Sequence, residues 1–187
     1  MTKILIQDTG WVYLQVVLDW YTKKITGYSL SFTSKTGDWL DALNSGLNNQ
    51  FPFGIRDTLK GECLYLVSDN GSQPTSLKFM QACKDSGIKQ IFTSYNNPKG
   101  NADTVCQRQI RLRRKRVIRT LKEDLIWIRE SHSVEELRQN LKVWIGNYNA
   151  VYPHSSLNYK TPLQYEEDYY RYRLDAKQKP ETQQIFV

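Results

Sequence analysis

The sequence predicts an α/β domain, a mixed sheet with helices on both faces. Three observations predict it. Three closely spaced runs of β-branched, aromatic and aliphatic residues fill the first thirty or so positions. A strand–helix–strand pattern follows between Cys63 and Phe92. Most of what remains has apolar residues at helical spacing.

Taken in order, residues 3–7 (KILIQ) read as a first strand, turned by Asp8-Thr9-Gly10. Residues 11–18 (WVYLQVVL) are nearly all apolar, which predicts a central strand buried on both faces. A turn at Asp19–Lys24 leads to a third strand, 25–32, and the short connections predict an antiparallel meander. Residues 38–47 place Trp39, Leu40, Leu43 and Leu47 on one helical side. Residues 63–67 (CLYLV) are a short apolar strand, followed by a helix from Pro74-Thr75-Ser76 to about Ser86. Gly87 stops that helix, and 88–92 (IKQIF) is a fifth strand, parallel to the fourth because a helix joins them. After a polar loop at 95–103, one helix runs through Ile118, Leu121, Leu125 and Ile126, and another spans 134–148. A last, short helix begins at Pro162 and ends in YEEDYYRYR. Residues 1–172 are therefore expected to form one domain, and 173–187 a polar C-terminal tail. The element order is that of an RNase H-like core: a mixed five-stranded sheet flanked by helices.

Composition excludes several classes. The chain has 187 residues, 40% hydrophobic and 24% charged, which suits a globular domain and not a disordered or fibrous chain. No apolar run approaches the ~20 residues of a membrane span, so no membrane partner is expected. The N-terminal residues lack a secretory pattern. Cys63, Cys83 and Cys106 are odd in number and share no metal-type spacing, which argues for a reducing, cytoplasmic setting and against a disulfide scaffold.

The net charge of +7 is local. Residues 105–122 hold eight basic side chains (Arg108, Arg111, Arg113, Arg114, Lys115, Arg116, Arg119 and Lys122) and no acid. The other 169 residues carry a net −1. A solvated helix face usually mixes signs, whereas an unmixed stripe is the footprint of a polyphosphate partner.

The strongest chemical signal is Ser68-Asp69-Asn70-Gly71-Ser72-Gln73, between an apolar strand and a helix. Alone, Asp-Asn-Gly is a turn. At the carboxyl end of a strand in an open α/β sheet, however, a carboxylate faces the crevice where ligands bind. Asp69 is a hard oxygen ligand suited to Mg²⁺ or Mn²⁺.

These pieces resemble a known family, the catalytic cores of insertion-sequence transposases of the retroviral-integrase (DDE) type. The matching stretches are GWVYLQVVLDWYTKKITGYSL, SDNGSQPTSLKFM, GIKQIFTSYNNPKGNAD, RTLKEDL and YNAVYPHSSLNYKTPLQYEE, which run from Thr2 to about Tyr165. The resemblance implies an RNase H-like fold and DNA, as transposon end and target, for a partner. It further implies two Asp and one Glu holding two divalent ions for in-line attack on a phosphodiester. Asp69 matches the second Asp, as catalytic residue and metal ligand.

The chain departs from that pattern twice. The family sets its first Asp immediately before the position of Met1. Asp8 lies too far along the strand to replace it, roughly 25 Å away, and Asp19 reads as structural. The family's Glu falls after NADT, where this chain has Val105. Eleven residues, 105–115, stand in place of that one Glu, five of them basic, before the pattern resumes at Arg116. They read as an insertion or frameshift scar. Glu123 and Asp124 follow more than two helical turns on, at least ~12 Å away along the axis. One carboxylate binds Mg²⁺ weakly and neighbouring arginines oppose a cation, so no strand transfer by this chain is expected.

The resemblance also implies DNA contacts at basic positions that this sequence keeps. Arg116, Arg119 and Lys122 lie on the helix that follows the Glu position, and Lys99 in the loop before it. His132 and His154 read as structural, and the five tryptophans, on apolar faces, as core before anything else. Two other readings stay open. One is a non-catalytic protein that forms homo-oligomers, or hetero-oligomers with an intact transposase, and inhibits it. The other is a working transposase whose start and 105–115 stretch are sequence artefacts.

Overall fold

In a computed structural model of the chain, residues 1–55, 63–92, 109–111 and 115–178 are described, the side chains of 109–111, 115 and 173–178 excepted. The strands are β1 (Thr2–Ile6), β2 (Gly10–Asp19), β3 (Ile25–Ser31), β4 (Leu64–Ser68), β5 (Ile88–Phe92) and β6 (Gln109–Arg111). The helices are α1 (Thr36–Gln50), α2 (Leu77–Asp85), α3 (Lys115–Leu121), α4 (Val134–Val151) and α5 (Pro162–Gln178). A π-helical turn, Lys122–Ile126, prolongs α3, and a 3₁₀ turn spans Ser155–Leu157.

The α/β class holds. β1, β2 and β3 form the antiparallel meander, and β4 and β5 pair in parallel. The sheet has six strands rather than the five expected. The extra one, β6, comes from the 105–115 stretch. It runs antiparallel to β2 and parallel to β4. Among the described strands β6 alone connects the meander to the parallel pair. Backbone N–H and C=O groups on the facing edges of β2 and β4 need partners, and a three-residue segment is enough to provide some.

Two apolar clusters lie on the two sides of the sheet. Ile4, Ile6, Val12, Leu14 and Leu18 pack against Val117, Leu121 and Leu125 of the α3 segment and Leu137 and Leu141 of α4. Val17, Leu64, Leu66 and Ile88 pack against Trp39 and Leu43 of α1 and Phe79 and Cys83 of α2. The 3.6-residue spacing of these helix positions is what puts them on one face.

Some expectations need correction. β2 is buried on both faces only from Leu14 to Asp19. Trp11 is 55% exposed, beside Leu5, because the cluster under α1 and α2 reaches only to Val17. Lys3 lies over its ring, 5.9 Å from the centroid. Trp127 is also exposed, beyond the π-turn. The final helix is not short: it runs through Leu174-Asp-Ala-Lys-Gln to Gln178, since no Gly or Pro interrupts that stretch before Pro180.

The stretch 148–167, YNAVYPHSSLNYKTPLQYEE, is pinned to the sheet by polar contacts. Buried Asn149 of α4 bonds both backbone groups of Ile25 in β3. Glu166 of α5 takes the Lys24 ammonium at 2.6 Å and a hydrogen bond from Gln50 at the end of α1. Tyr21 packs on Tyr165 and Tyr169, and its hydrogen bond with Tyr165, then burial, push its phenol up to about 12. No helix among the described residues is long and apolar enough to cross a membrane.

Candidate functional site

Asp69 follows directly on β4, a strand flanked by β5 on one side and β6 on the other. It is half-buried, and the loop around it is tightly tied. Asp69 Oδ1 accepts the Gly71 N–H at 3.3 Å, the turn that Asp-Asn-Gly favours. Thr75 Oγ1 donates to the Gly71 carbonyl at 2.8 Å. Gln73 reaches the Ser34 carbonyl at 3.0 Å, and Gln90 of β5 reaches that of Pro74 at 3.1 Å. Ser76 caps α2 by accepting the Phe79 N–H. Turn and site are thus one structure, a carboxylate mounted on a rigid loop at a strand's carboxyl end.

The other acids lie elsewhere. Asp19 is buried at the end of β2, with Oδ1 on the Tyr21 N–H at 2.9 Å and Oδ2 on the Thr22 hydroxyl at 3.0 Å. It holds the β2–β3 turn, as its reading as a structural acid requires. Asp8 is exposed past the far end of β1, 3.9 Å from His132. Glu123 pairs with Arg119 at 2.7 Å, one helical turn away. Among the described residues no three His, Cys, Asp or Glu side chains form a group that could hold a metal ion. Among the described residues, Asp69 is thus not joined by the two further donors that such a group takes.

Of the basic candidates, Arg116 and Arg119 are exposed and Lys122 is half-buried. They lie away from Val117, Leu121 and Leu125, which face the core. The α3 segment thus puts its apolar stripe inward and its cations outward. Glu123 offsets Arg119 and raises its already high pKa through their hydrogen bond. Lys99 lies outside the described residues, as do Arg108, Arg113, Arg114 and the 95–103 loop.

One grouping escapes sequence reasoning. Arg116 and Thr120 line a cavity of about 180 Å³ with Tyr148, Tyr152, His154 and Ser155. These positions are far apart in the chain, and only the packing of α3 on α4 brings them together. His154 stacks edge-on against Tyr148, with centroids 5.3 Å apart, and its N–H bonds the Lys160 carbonyl at 3.1 Å. That is a structural placement at the cavity's edge.

A family model described as the integrase core domain matches residues 1–98, and a second integrase core domain model matches 111–162. Residues 99–110 fall in neither. The transposase for insertion sequence element IS904 of Lactococcus lactis subsp. lactis (strain IL1403) is 27% identical over 176 residues, spanning 89% of this chain and 59% of that protein. The putative transposase InsK for insertion sequence element IS150 of Escherichia coli (strain K12) is 25% identical over 166 residues, spanning 87% and 51%. The chain thus covers between half and three-fifths of the length of these relatives. A chain of the simian T-cell lymphotropic virus intasome, solved by cryo-EM in complex with PP2A regulatory subunit B56 gamma, shares the fold. Its TM-score is 0.61 and its identity 15%, over 100% of this chain and 55% of that one.

Proposed function

This chain belongs to the integrase core domain family, and we propose that it is the core of an insertion-sequence-type transposase that binds DNA without cutting or joining it. The observation that carries this reading is the stretch 105–122. It has eight cations and no carboxylate where the family pattern sets its Glu. An RNase H-like arrangement, residues 1–172 as one domain and a cytoplasmic setting belong to the same reading.

The chemistry follows from the residues. In the family, Mg²⁺ or Mn²⁺ would activate the attacking oxygen and stabilise the leaving one. Asp69 is the group here that would contribute to holding such an ion. Without the Glu, the second ion lacks a protein ligand. Arg116, Arg119, Lys122 and Lys99 supply phosphate contacts, which position DNA without reading its sequence. Exposed Trp11 and Leu5, side by side on the β1–β2 hairpin, favour a second role as a non-catalytic partner of an intact transposase.

A filter-binding titration with duplex DNA tests the reading. With four phosphate contacts, affinity falls roughly a hundredfold between 50 and 200 mM salt. Arg116→Ala lowers the salt slope by about one. Affinity indifferent to salt would remove the DNA role. Manganese-dependent nicking that disappears in Asp69→Asn would remove the claim of inactivity.

A further inference from the structure

Three aromatic side chains follow one side of α4 from the core to the surface. Trp144, Tyr148 and Tyr152 recur at every fourth residue, the last as the helix's C-cap, so their rings lie one above another. Ring centroids are 5.2 Å apart between Trp144 and Tyr148 and 5.6 Å apart between Tyr148 and Tyr152, with 26° between planes at both steps. Trp144 packs on the core and Tyr148 is buried, whereas Tyr152 is 40% exposed. The stack ends at Tyr152, on the wall of the cavity that Arg116 lines from α3.

The lining selects a ligand. Tyr152 offers a π-face to a flat ring. Ser155 and Ser156 bring hydroxyls, which donate or accept. Arg116 brings a permanent cation, and no acid is among the described residues that line the cavity. A flat ring joined to an anion is a nucleotide. The volume of about 180 Å³ is below the ~300–1,000 Å³ of a site for a drug-sized ligand, so it takes one ring system and not a base pair. A base inside a duplex has both faces covered by its neighbours, so the base that enters is unpaired. Arg119 and Lys122 continue the cations along the outward side of the same helix, where the phosphates of an attached duplex would run. That favours a nucleic acid over a lone nucleotide.

We propose that this cavity takes an unpaired base at the end of a DNA strand, stacked on Tyr152 with its phosphate on Arg116. The platform is held before any ligand arrives. The His154 ring stands 5.9 Å from that of Tyr152 and edge-on to Tyr148. The turn that carries it closes on itself, with the His154 N–H on the Lys160 carbonyl at 3.1 Å and the Tyr159 N–H on the His154 carbonyl at 2.9 Å. A wall fixed in this way loses little freedom when a base docks. Stacking on an aromatic side chain serves any base, because every base has a π-face. The proposal rests on the DNA-binding reading and adds what a basic helix alone lacks, a preference for DNA with an unpaired end.

Fluorescence anisotropy with the whole chain tests it. The probes are duplexes of one length: blunt, with one unpaired thymidine at the 5′ ends, with one at the 3′ ends, and with an abasic nucleotide in its place. At least one thymidine overhang should bind at least about fivefold tighter than the blunt duplex, the lower end of what one stacked base contributes. The abasic overhang should bind as the blunt duplex does. Tyr152→Ala should lose the preference and Tyr152→Phe keep it. Equal affinity for blunt and thymidine-bearing duplexes overturns the site and leaves the DNA-binding reading standing, whereas no binding of any duplex overturns both. An abasic overhang bound as tightly as thymidine, or a preference that survives Tyr152→Ala, also overturns the site. So does free thymidine monophosphate that displaces the duplex at the duplex's own concentration. If Tyr152→Ala fails to fold, photo-crosslinking on the unaltered chain decides. An overhanging 5-iododeoxyuridine should join a peptide within 148–156, and a crosslink mapped elsewhere refutes the proposal.

Discussion

Asn149, in the last turns of α4, closes both backbone hydrogen bonds of Ile25 at the start of β3. The Ile25 N–H donates to Asn149 Oδ1 at 2.9 Å, and Asn149 Nδ2 donates to the Ile25 carbonyl at 2.9 Å. The side chain acts as one more residue of strand and joins the helical C-terminal half to the sheet. Asn149→Ala leaves two buried backbone groups without these bonds, at about 1–3 kcal/mol each. The urea midpoint should fall accordingly. Asn149→Asp keeps the acceptor for Ile25 N–H and loses the donor. An unchanged midpoint in Asn149→Ala would show that water replaces the amide at no cost.

A second joint is steric. A Cβ built on Gly27 of β3 would stand 2.2 Å from the backbone nitrogen of Gly46 in α1. Strand and helix approach backbone to backbone there, and only glycine permits it. Gly27→Ala should cost about 1–3 kcal/mol through the shift it forces on α1. Gly146 in α4 has nothing within 4 Å of its missing Cβ. Gly146→Ala should instead stabilise, by roughly 0.5–1 kcal/mol, through helix propensity. Thermal melts of the two variants should move in opposite directions.

Cys83 reports on the cluster beneath α2. Burial pushes its thiol from 9.0 up to about 12, whereas Cys63 is exposed. At pH 8 iodoacetamide should modify Cys63 quickly and Cys83 only through unfolding, as peptide mass mapping would show. The pH dependence follows in sign. The folded thiol holds its proton more tightly than the unfolded one. This contribution to stability is complete below about pH 9 and is lost as pH rises towards 12. Cys83→Ala, whatever its baseline stability, should flatten the fall over that window.

The registers around Asp69 make the last prediction. Continuing β4 past Val67 opposite Arg111, Asp69 comes level with the position immediately before Met1. Residues level on parallel strands point to the same face. A chain carrying Thr-Asp before Met1 would therefore set a second carboxylate beside Asp69. Its manganese affinity, by electron paramagnetic resonance, should exceed that of the parent at least tenfold, and Asp69→Asn should abolish the gain. Equal affinity in both chains would show that the register does not continue as drawn.

Much of this was legible in the residues. The meander, the parallel pair and the helix positions follow from periodicity, because a period of 2 or 3.6 dictates which side chains share a face. Asp69 was legible because a polar turn after a wholly apolar strand has one place to be, the carboxyl end of a sheet. The family, too, was legible from motifs spread along most of the chain. The burial of Trp11 and Trp127 was misread, because apolarity says what a side chain tolerates and not whether a helix lies over it. Tertiary structure alone decided three things: that Asn149 serves Ile25, that Arg116 meets His154 across a cavity, and that part of the basic 105–115 stretch becomes a strand. Each joins residues far apart in sequence through space, where local propensity carries no information and the unmet hydrogen-bonding groups of a distant strand settle the outcome.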